Sequence, residues 1–379
     1  MKLNWLLLIV FGFLALLSSG CSTTVAKLAG LNEKCVVIAR RAQIRSSGAV
    51  VAADLLEVSR GQTLEVLGDD MIEGEKWYNV RALDENNTEG WIEGRNILTQ
   101  KLLAQSQKLA DADRAVPTQA TGQLRAASNL RLLPDRTRDD NILLKLQGGD
   151  TFEIVGWQRF PKSDDADDKD DASKTAANNQ TGKQQRQNAK DQDAPLRLDD
   201  KYDTWYKVRL QPSVSPAPFG WIYGKQVELT VPADIIFYRT GREFVAWSRI
   251  DGDTEGNVAS FPHSKDAAGK DSKPGSWVIL ERSNKVEAQD GDEPDFDHIS
   301  IMGYDKFNQD HYKVYLSGKV RGYLPLRVTG GGDSRVFTVR VKTTDGSVRD
   351  VQYTTFKDSR GILKVNVPHD IPKEGKEEN

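Results

Sequence analysis

The residues best suited to chemistry are few and widely separated. The two cysteines are Cys21 and Cys35, and the four histidines, His263, His298, His311 and His369, all follow more than two hundred residues later. A cysteine nucleophile needs a histidine base within hydrogen-bond reach. Here that distance places thiols and imidazoles in different domains. A catalytic zinc needs clustered His and carboxylate ligands. Asp297-His298 and Asp310-His311 supply only dipeptides and read as surface or strand-end histidines. There is no Gly-x-Ser-x-Gly elbow and no P-loop. The acidic runs Asp164 to Asp171, Asp251 to Gly256 and Asp290 to Asp297 carry charge that attracts calcium. They lack the ligand order of an EF-hand and read as solvated loops. The expectation is a non-catalytic chain with no metal and no cofactor.

The chemistry that remains is aromatic and cationic. Trp77, Arg81 and Trp91 occur in one stretch, and Trp205, Arg209 and Trp221 in another. Aromatic faces beside a guanidinium can stack on sugar rings or grip a peptide, and they can equally close a small core. Both stretches follow one pattern. Leu64-Glu-Val-Leu-Gly68, Trp77-Tyr-Asn-Val-Arg81 and Gly90-Trp-Ile92 return as Phe152-Glu-Ile-Val-Gly156, Trp205-Tyr-Lys-Val-Arg209 and Gly220-Trp-Ile222. A weaker echo runs through Ile299 to Gly303, His311 to Tyr315 and Gly322 to Leu324. Such self-similarity is the first clue to architecture. Alternation along a strand puts Tyr78 with Val80, and Tyr206 with Val208, on the core face. The tryptophans then stand on the polar side, or beneath a loop folded over it.

These motifs resemble bacterial SH3-like (SH3b) domains, small five-to-six-stranded barrels. The second copy carries more of the pattern, with Asn129-Leu-Arg131-x-x-Pro134 and Leu146-x-x-Gly149-Asp150 ahead of the tryptophans. The first has Ala42-Gln-Ile-Arg45 and Ser59-Arg-Gly-Gln62 in their place. The resemblance covers roughly residues 35 to 100 and 122 to 229, and speaks more to fold than to ligand. It implies an all-β chain: two tandem SH3-like small barrels joined by a short helical linker, plus a C-terminal β-rich domain.

Length and composition agree. A chain of 379 residues exceeds one comfortable core. A net charge of −3 gives no basic excess for nucleic acid. Mean hydropathy is −0.55. The first residues differ. Lys2 precedes an apolar run from Leu6 to Leu17, and Ser18-Ser-Gly-Cys21 follows. The run is short for a membrane span and reads as a signal peptide over residues 1–20. Cys21 after small residues looks like a bacterial lipobox, with Ser18 where Leu is usual. That resemblance implies acylation of Cys21, and Ser22 after it implies the periplasmic face of the outer membrane. Several acyl chains hold a protein on a bilayer. Cys35, before Val36-Val-Ile38, reads as a buried small hydrophobe.

The segments then follow in order. A tether spans residues 21–34 and the first SH3-like domain 35–100. Good helix formers, ending before Pro117, make residues 101–121 a linker helix. The second SH3-like domain spans 122–230, with a polar insert at 161–203 that cannot bury enough surface to order itself. A β domain fills 231–370. Its expected strands include Ile235 to Tyr238, and Pro325 marks a strand end or edge. Phe337, Val339 and Val341 face Val351 and Tyr353 across an Asp345-Gly346 hairpin turn. A charged tail closes at 371–379. The leading functional expectation is binding of peptidoglycan or cell-wall peptides by a protein held to the membrane through Cys21. The alternative is a scaffold for other envelope proteins. A third is an enzyme with an unrecognised site in residues 232 to 370.

Overall fold

The computed structural model describes residues 33–49, 51–162, 197–239, 241–251, 274–285, 293–331, 334–343, 345–369 and 371. The signal segment, Cys21, most of the polar insert and the charged tail lie outside them. The chain divides into two units, Met1–Ala104 and Gln105–Asn379.

The first unit is one curled antiparallel sheet. Its strands are β1 (Glu33–Val37), β2 (Arg41–Arg45), β3 (Asp54–Ser59), β4 (Thr63–Ile72), β5 (Glu75–Ala82), β6 (Glu89–Glu93) and β7 (Ile97–Thr99). They are ordered β3-β2-β6-β5-β4-β1-β7. Cys35, Ile44, Leu64, Val80 and Ile92 fill its core, with Tyr78 packed against them. This is the alternation expected of residues spaced by two. Strands β4 and β5 join through Glu73 and Gly74, both with positive φ, a left-handed pair whose twist suits a two-residue hairpin turn.

Helix α1 (Gln100–Ala112) spans the boundary in sequence. It ends well before residue 121, because the chain from Asp113 to Val116 turns to meet Arg209. Buried Ser106 ties the helix down, donating to the Phe219 carbonyl at 2.6 Å and accepting from the Phe219 N–H at 3.1 Å.

The second unit repeats the first sheet. Strands β8 (Ala120–Leu124), β9 (Ser128–Arg131), β10 (Ile142–Leu146), β11 (Thr151–Pro161), β12 (Tyr202–Arg209), β13 (Phe219–Tyr223) and β14 (Val227–Leu229) follow the order β10-β9-β13-β12-β11-β8-β14. Even the irregularity repeats: register slips between Val66 and Gly68 in one sheet and between Ile154 and Gly156 in the other. Arg45 faces Trp91 as Arg131 faces Trp221, so Ala42-Gln-Ile-Arg45 fills the place of Asn129-Leu-Arg131. Glycine is required where the sheet closes: a Cβ on Gly90 would lie 2.5 Å from the Arg45 carbonyl oxygen, and one on Gly220 2.8 Å from that of Arg131. The polar insert is shorter than 161–203. The ladder runs on through Phe160–Asp203 and Pro161–Tyr202, and a four-residue helix, α2 (Leu198–Lys201), leads into β12.

Two four-stranded antiparallel sheets complete this unit. One holds β15 (Glu243–Arg249), β16 (Trp277–Arg282), β17 (His298–Asp305) and β18 (Asp310–Leu316) in that order; the other holds β19 (Arg321–Gly331), β20 (Ser334–Lys342), β21 (Val348–Lys357) and β22 (Leu363–Asn366). They share a core that includes Val278, Ile301, Phe337, Val339 and Tyr353, with Trp157 of β11 packed on it. The molecule is all-β apart from its short helices.

Several expectations change here. Ile236–Tyr238 is a 3-10 turn, since the Pro232 carbonyl accepts from both Ile235 and Ile236 and curls the chain. Pro325 keeps to an edge as expected: it lies in β19, the edge strand of its sheet, where the ladder skips from Tyr323 to Arg327 and no proline N–H is needed. Gly330 and Gly331 end β19, paired with Arg335 and Ser334. The third echo does not assemble as the first two do: β18 ends its own sheet, and Gly322 pairs with β20.

Candidate functional site

In the first unit Trp77 is 7% exposed. Trp91 is half-buried opposite Asn79. Arg81 bonds Glu65 at 3.2 Å and Glu89 at 2.6 Å. In the second unit Trp205, Trp221 and Tyr223 form a buried cluster, with Trp205 and Tyr223 ring centroids 5.4 Å apart. Lys207 lies over the Trp221 ring and pairs with Asp113. Arg209 bonds buried Glu153 at 2.9 Å and the carbonyls of Asp113 and Val116 at 3.2 and 3.1 Å. The structure thus gathers Trp205 with Trp221, keeps Arg209 on its own carboxylate, and covers this face with the chain that follows α1. Cys21 lies outside the described residues.

His298 and His311 are largely enclosed, whereas His369 is exposed and His263 lies outside the described residues. His298 bonds Asp297 at 2.7 Å, and Asp297 also accepts from the Ser283 N–H and hydroxyl. Burial pushes the Asp297 carboxyl up, but the bonds from His298 and Ser283 outweigh it and hold it below the usual range. Neighbouring Glu281 shifts the other way, raised by burial and only partly offset by Arg242. His311, at the start of β18 and so at a strand end as expected, has a side chain 5% exposed and contacts the Gly275 carbonyl at 2.8 Å. No group of three or more His, Cys, Asp or Glu residues placed to hold a metal occurs among the described residues. Two acidic runs, Asp164 to Asp171 and most of Asp251 to Gly256, lie outside them.

A different site emerges in the second unit. A cleft of about 500 Å³ opens between the repeated sheet and the C-terminal sheets, a size suited to a small ligand. Trp157, Tyr202 and Tyr206 line one side, and Arg239, Glu243, Phe244 and Arg282 the other. Trp157 and Tyr206 meet edge to face at 5.9 Å. At the rim stand exposed Arg125 and Lys225, with Asp199, Asp203 and Glu228 nearby. Charges of both signs therefore surround an aromatic floor.

The end of the β11 hairpin contributes Trp157 and Tyr202 to this cleft and is held from behind. Trp157 donates to Asp295 at 2.6 Å, Tyr202 donates to Glu293 at 2.5 Å, and Arg159 donates to the Pro294 carbonyl at 3.2 Å. The Arg159 side chain is only 9% exposed and lies 3.6 Å from Asp295. Burial, then the nearby Arg282, pull its guanidinium down to about 10, while Asp295 resists. Burial also raises the Tyr206 phenol. Reasoning from sequence passes over Trp157 and Arg159. The signal lies in the repeat: aligned on Gly68 and Gly156, the first copy has Asp69 and Met71 at those positions.

No family model matches the chain, and no curated protein does. Among solved structures it is similar to NlpC1 from Trichomonas vaginalis, at 10% identity over 90% of this chain and 91% of that one, with a TM-score of 0.15. NlpC2 from Trichomonas vaginalis matches at 9% identity over 90% and 95%, TM-score 0.15. A protein described as an autolysin from Listeria monocytogenes matches at 10% over 88% and 93%, also at 0.15. Such scores carry no argument about function.

Proposed function

We propose that this chain is a non-catalytic binding protein of the bacterial cell envelope, built on two SH3-like repeats and taking peptides of the cell wall. The observation that carries the reading is the cleft of the second unit, whose aromatic floor and rim charges of both signs suit a short zwitterionic peptide. None of Trp205, Arg209 and Trp221 lines this cleft. Trp205, Trp221 and Arg209 are committed to internal contacts, and the first repeat keeps Trp91 and Arg81 nearer solvent. In this reading Cys21 carries the acyl anchor, on the periplasmic face of the outer membrane.

The test is retention on purified sacculi of chain starting at Ser22. Wild type is expected to be retained. Arg125→Glu combined with Lys225→Glu, both at exposed rim positions, is expected to lower retention several-fold. A wild type that stays in the supernatant would reject wall binding and favour the scaffold reading.

A further inference from the structure

The repeat shows which charges on the cleft rim are additions of the second unit. Arg125 stands where the first unit has Ile38: its N–H donates to the Gln226 carbonyl at 2.9 Å, as the Ile38 N–H donates to the Asn96 carbonyl at 2.9 Å. Ile38 is buried, whereas Arg125 is exposed and lines the cleft. Lys225 stands where the first unit has Arg95, at the centre of the matching 3-10 turn. Arg95 pairs with Glu93 at 2.5 Å. The second unit has Tyr223 in place of that glutamate, and the Tyr223 hydroxyl donates to Asp203 at 2.7 Å. Lys225 thus loses the carboxylate that Arg95 has, and it too is exposed on the cleft. The Arg125–Gln226 bond holds the two cations on adjacent segments.

The carboxylates of the cleft are already engaged. Asp199 accepts from Asn284 at 3.1 Å, Asp203 from Tyr223, Glu228 from Gln123 at 3.3 Å and Glu243 from Arg282 at 2.8 Å. Its cations are not. Arg282 serves Glu243, but the side chains of Arg125, Lys225 and Arg239 make no ion pair or hydrogen bond among the described residues. The charge the cleft offers a ligand is therefore positive, and such a field draws and orients an anion. Resting on the peptide-binding reading above, we infer that the cleft takes an acidic peptide by its terminal carboxylate, held between Arg125 and Lys225. Gly224, beside Lys225, lies against the Tyr206 ring, so the peptide chain runs from that anchor across Tyr206. Arg239, on the opposite side of the cleft, faces a second acidic group of the ligand.

The test uses the chain from Ser22 and two synthetic probes in calorimetric titration at low salt. One is a tetrapeptide with an internal glutamate and a free terminal carboxylate; the other is its C-terminal amide. The acid is expected to bind about 5- to 20-fold more tightly than the amide, the range for pairing with two solvent-facing cations, and added salt is expected to shrink the difference. In Arg125→Gln combined with Lys225→Gln, both exposed positions, the preference is expected to fall to about twofold or less. Arg95→Gln, at the matching place in the first unit, is expected to keep it in full. Equal binding of acid and amide by wild type would overturn the carboxylate anchor while leaving peptide binding intact. Binding of neither probe would overturn both. A preference that survives in the double variant, or that Arg95→Gln abolishes, would also reject this site.

Discussion

The two repeats share strand order, bulge and closing glycines, yet they end in different circumstances. In the first, Asp69 and Met71 occupy an exposed hairpin. In the second, the equivalent Trp157 and Arg159 dock against Glu293, Pro294 and Asp295. The outer face differs too. Arg81 meets two partly exposed carboxylates, whereas Arg209 serves a buried glutamate and two backbone carbonyls. The lesson is that a small sheet of this kind acquires a site from what is laid against it. Its own tryptophans supply the core that lets a neighbour dock.

The largest contrast to test is between the cores. Phe152→Ala is expected to cost about 3–5 kcal/mol and Leu64→Ala about 2–5 kcal/mol, the range for emptying a fully buried site. Each should move a separate melting transition, because the two residues lie in different units. A single transition shifted equally by both would break the comparison.

Next comes the repeated ion pair. Arg209→Met deprives Glu153, whose side chain is 6% exposed, of its cation and leaves it the Thr118 hydroxyl; it is expected to cost about 2–3 kcal/mol in denaturant titration. Arg81→Met should leave stability unchanged within error, since exposed pairs contribute little. Equal losses would mean that both faces are covered alike.

The cores also differ by an exchange of size. Cys35 pairs with Leu64 in one sheet and Gly122 with Phe152 in the other, and a Cβ on Gly122 would sit 2.9 Å from the Phe152 ring. Leu64→Phe should therefore cost about 1–3 kcal/mol by overpacking. Adding Cys35→Gly should return about 1 kcal/mol of it, a coupling that a double-mutant cycle measures. Additive losses would show that the two cores are not interchangeable.

The last contrast concerns pH. Burial, assisted by Glu33, pushes the Cys35 thiol from 9.0 up to about 12. Between those values the unfolded chain releases a proton that the folded one keeps. The stability conferred by the neutral thiol is complete below pH 9 and declines as pH rises towards 12. Cys35→Ala should flatten that decline in the first unit, measured by denaturant titration at several pH values, and leave the second unit unaffected.

Much of the fold was legible. The alternation in Trp77 to Arg81 and Trp205 to Arg209 marks strands, and the Gly-Trp element marks where each sheet closes. The alternation of Phe337, Val339 and Val341 marks a core-facing strand, and all three are buried. The third echo misled because a short apolar hairpin pattern does not specify its partner, and the pairing of Gly322 with β20 is a tertiary choice. The cleft was hidden for a related reason. Its lining residues Trp157 and Arg282 stand more than one hundred residues apart, and only packing brings them together.

The central claim, that the second unit's cleft holds the ligand, is tested most directly by hydrogen–deuterium exchange with and without soluble disaccharide-peptide fragments of the wall. Slowed exchange is expected at Tyr202 to Tyr206, around Gly224 to Leu229 and at the start of β15. Slowed exchange confined to β5 and β6 of the first repeat, with the cleft unchanged, would contradict it.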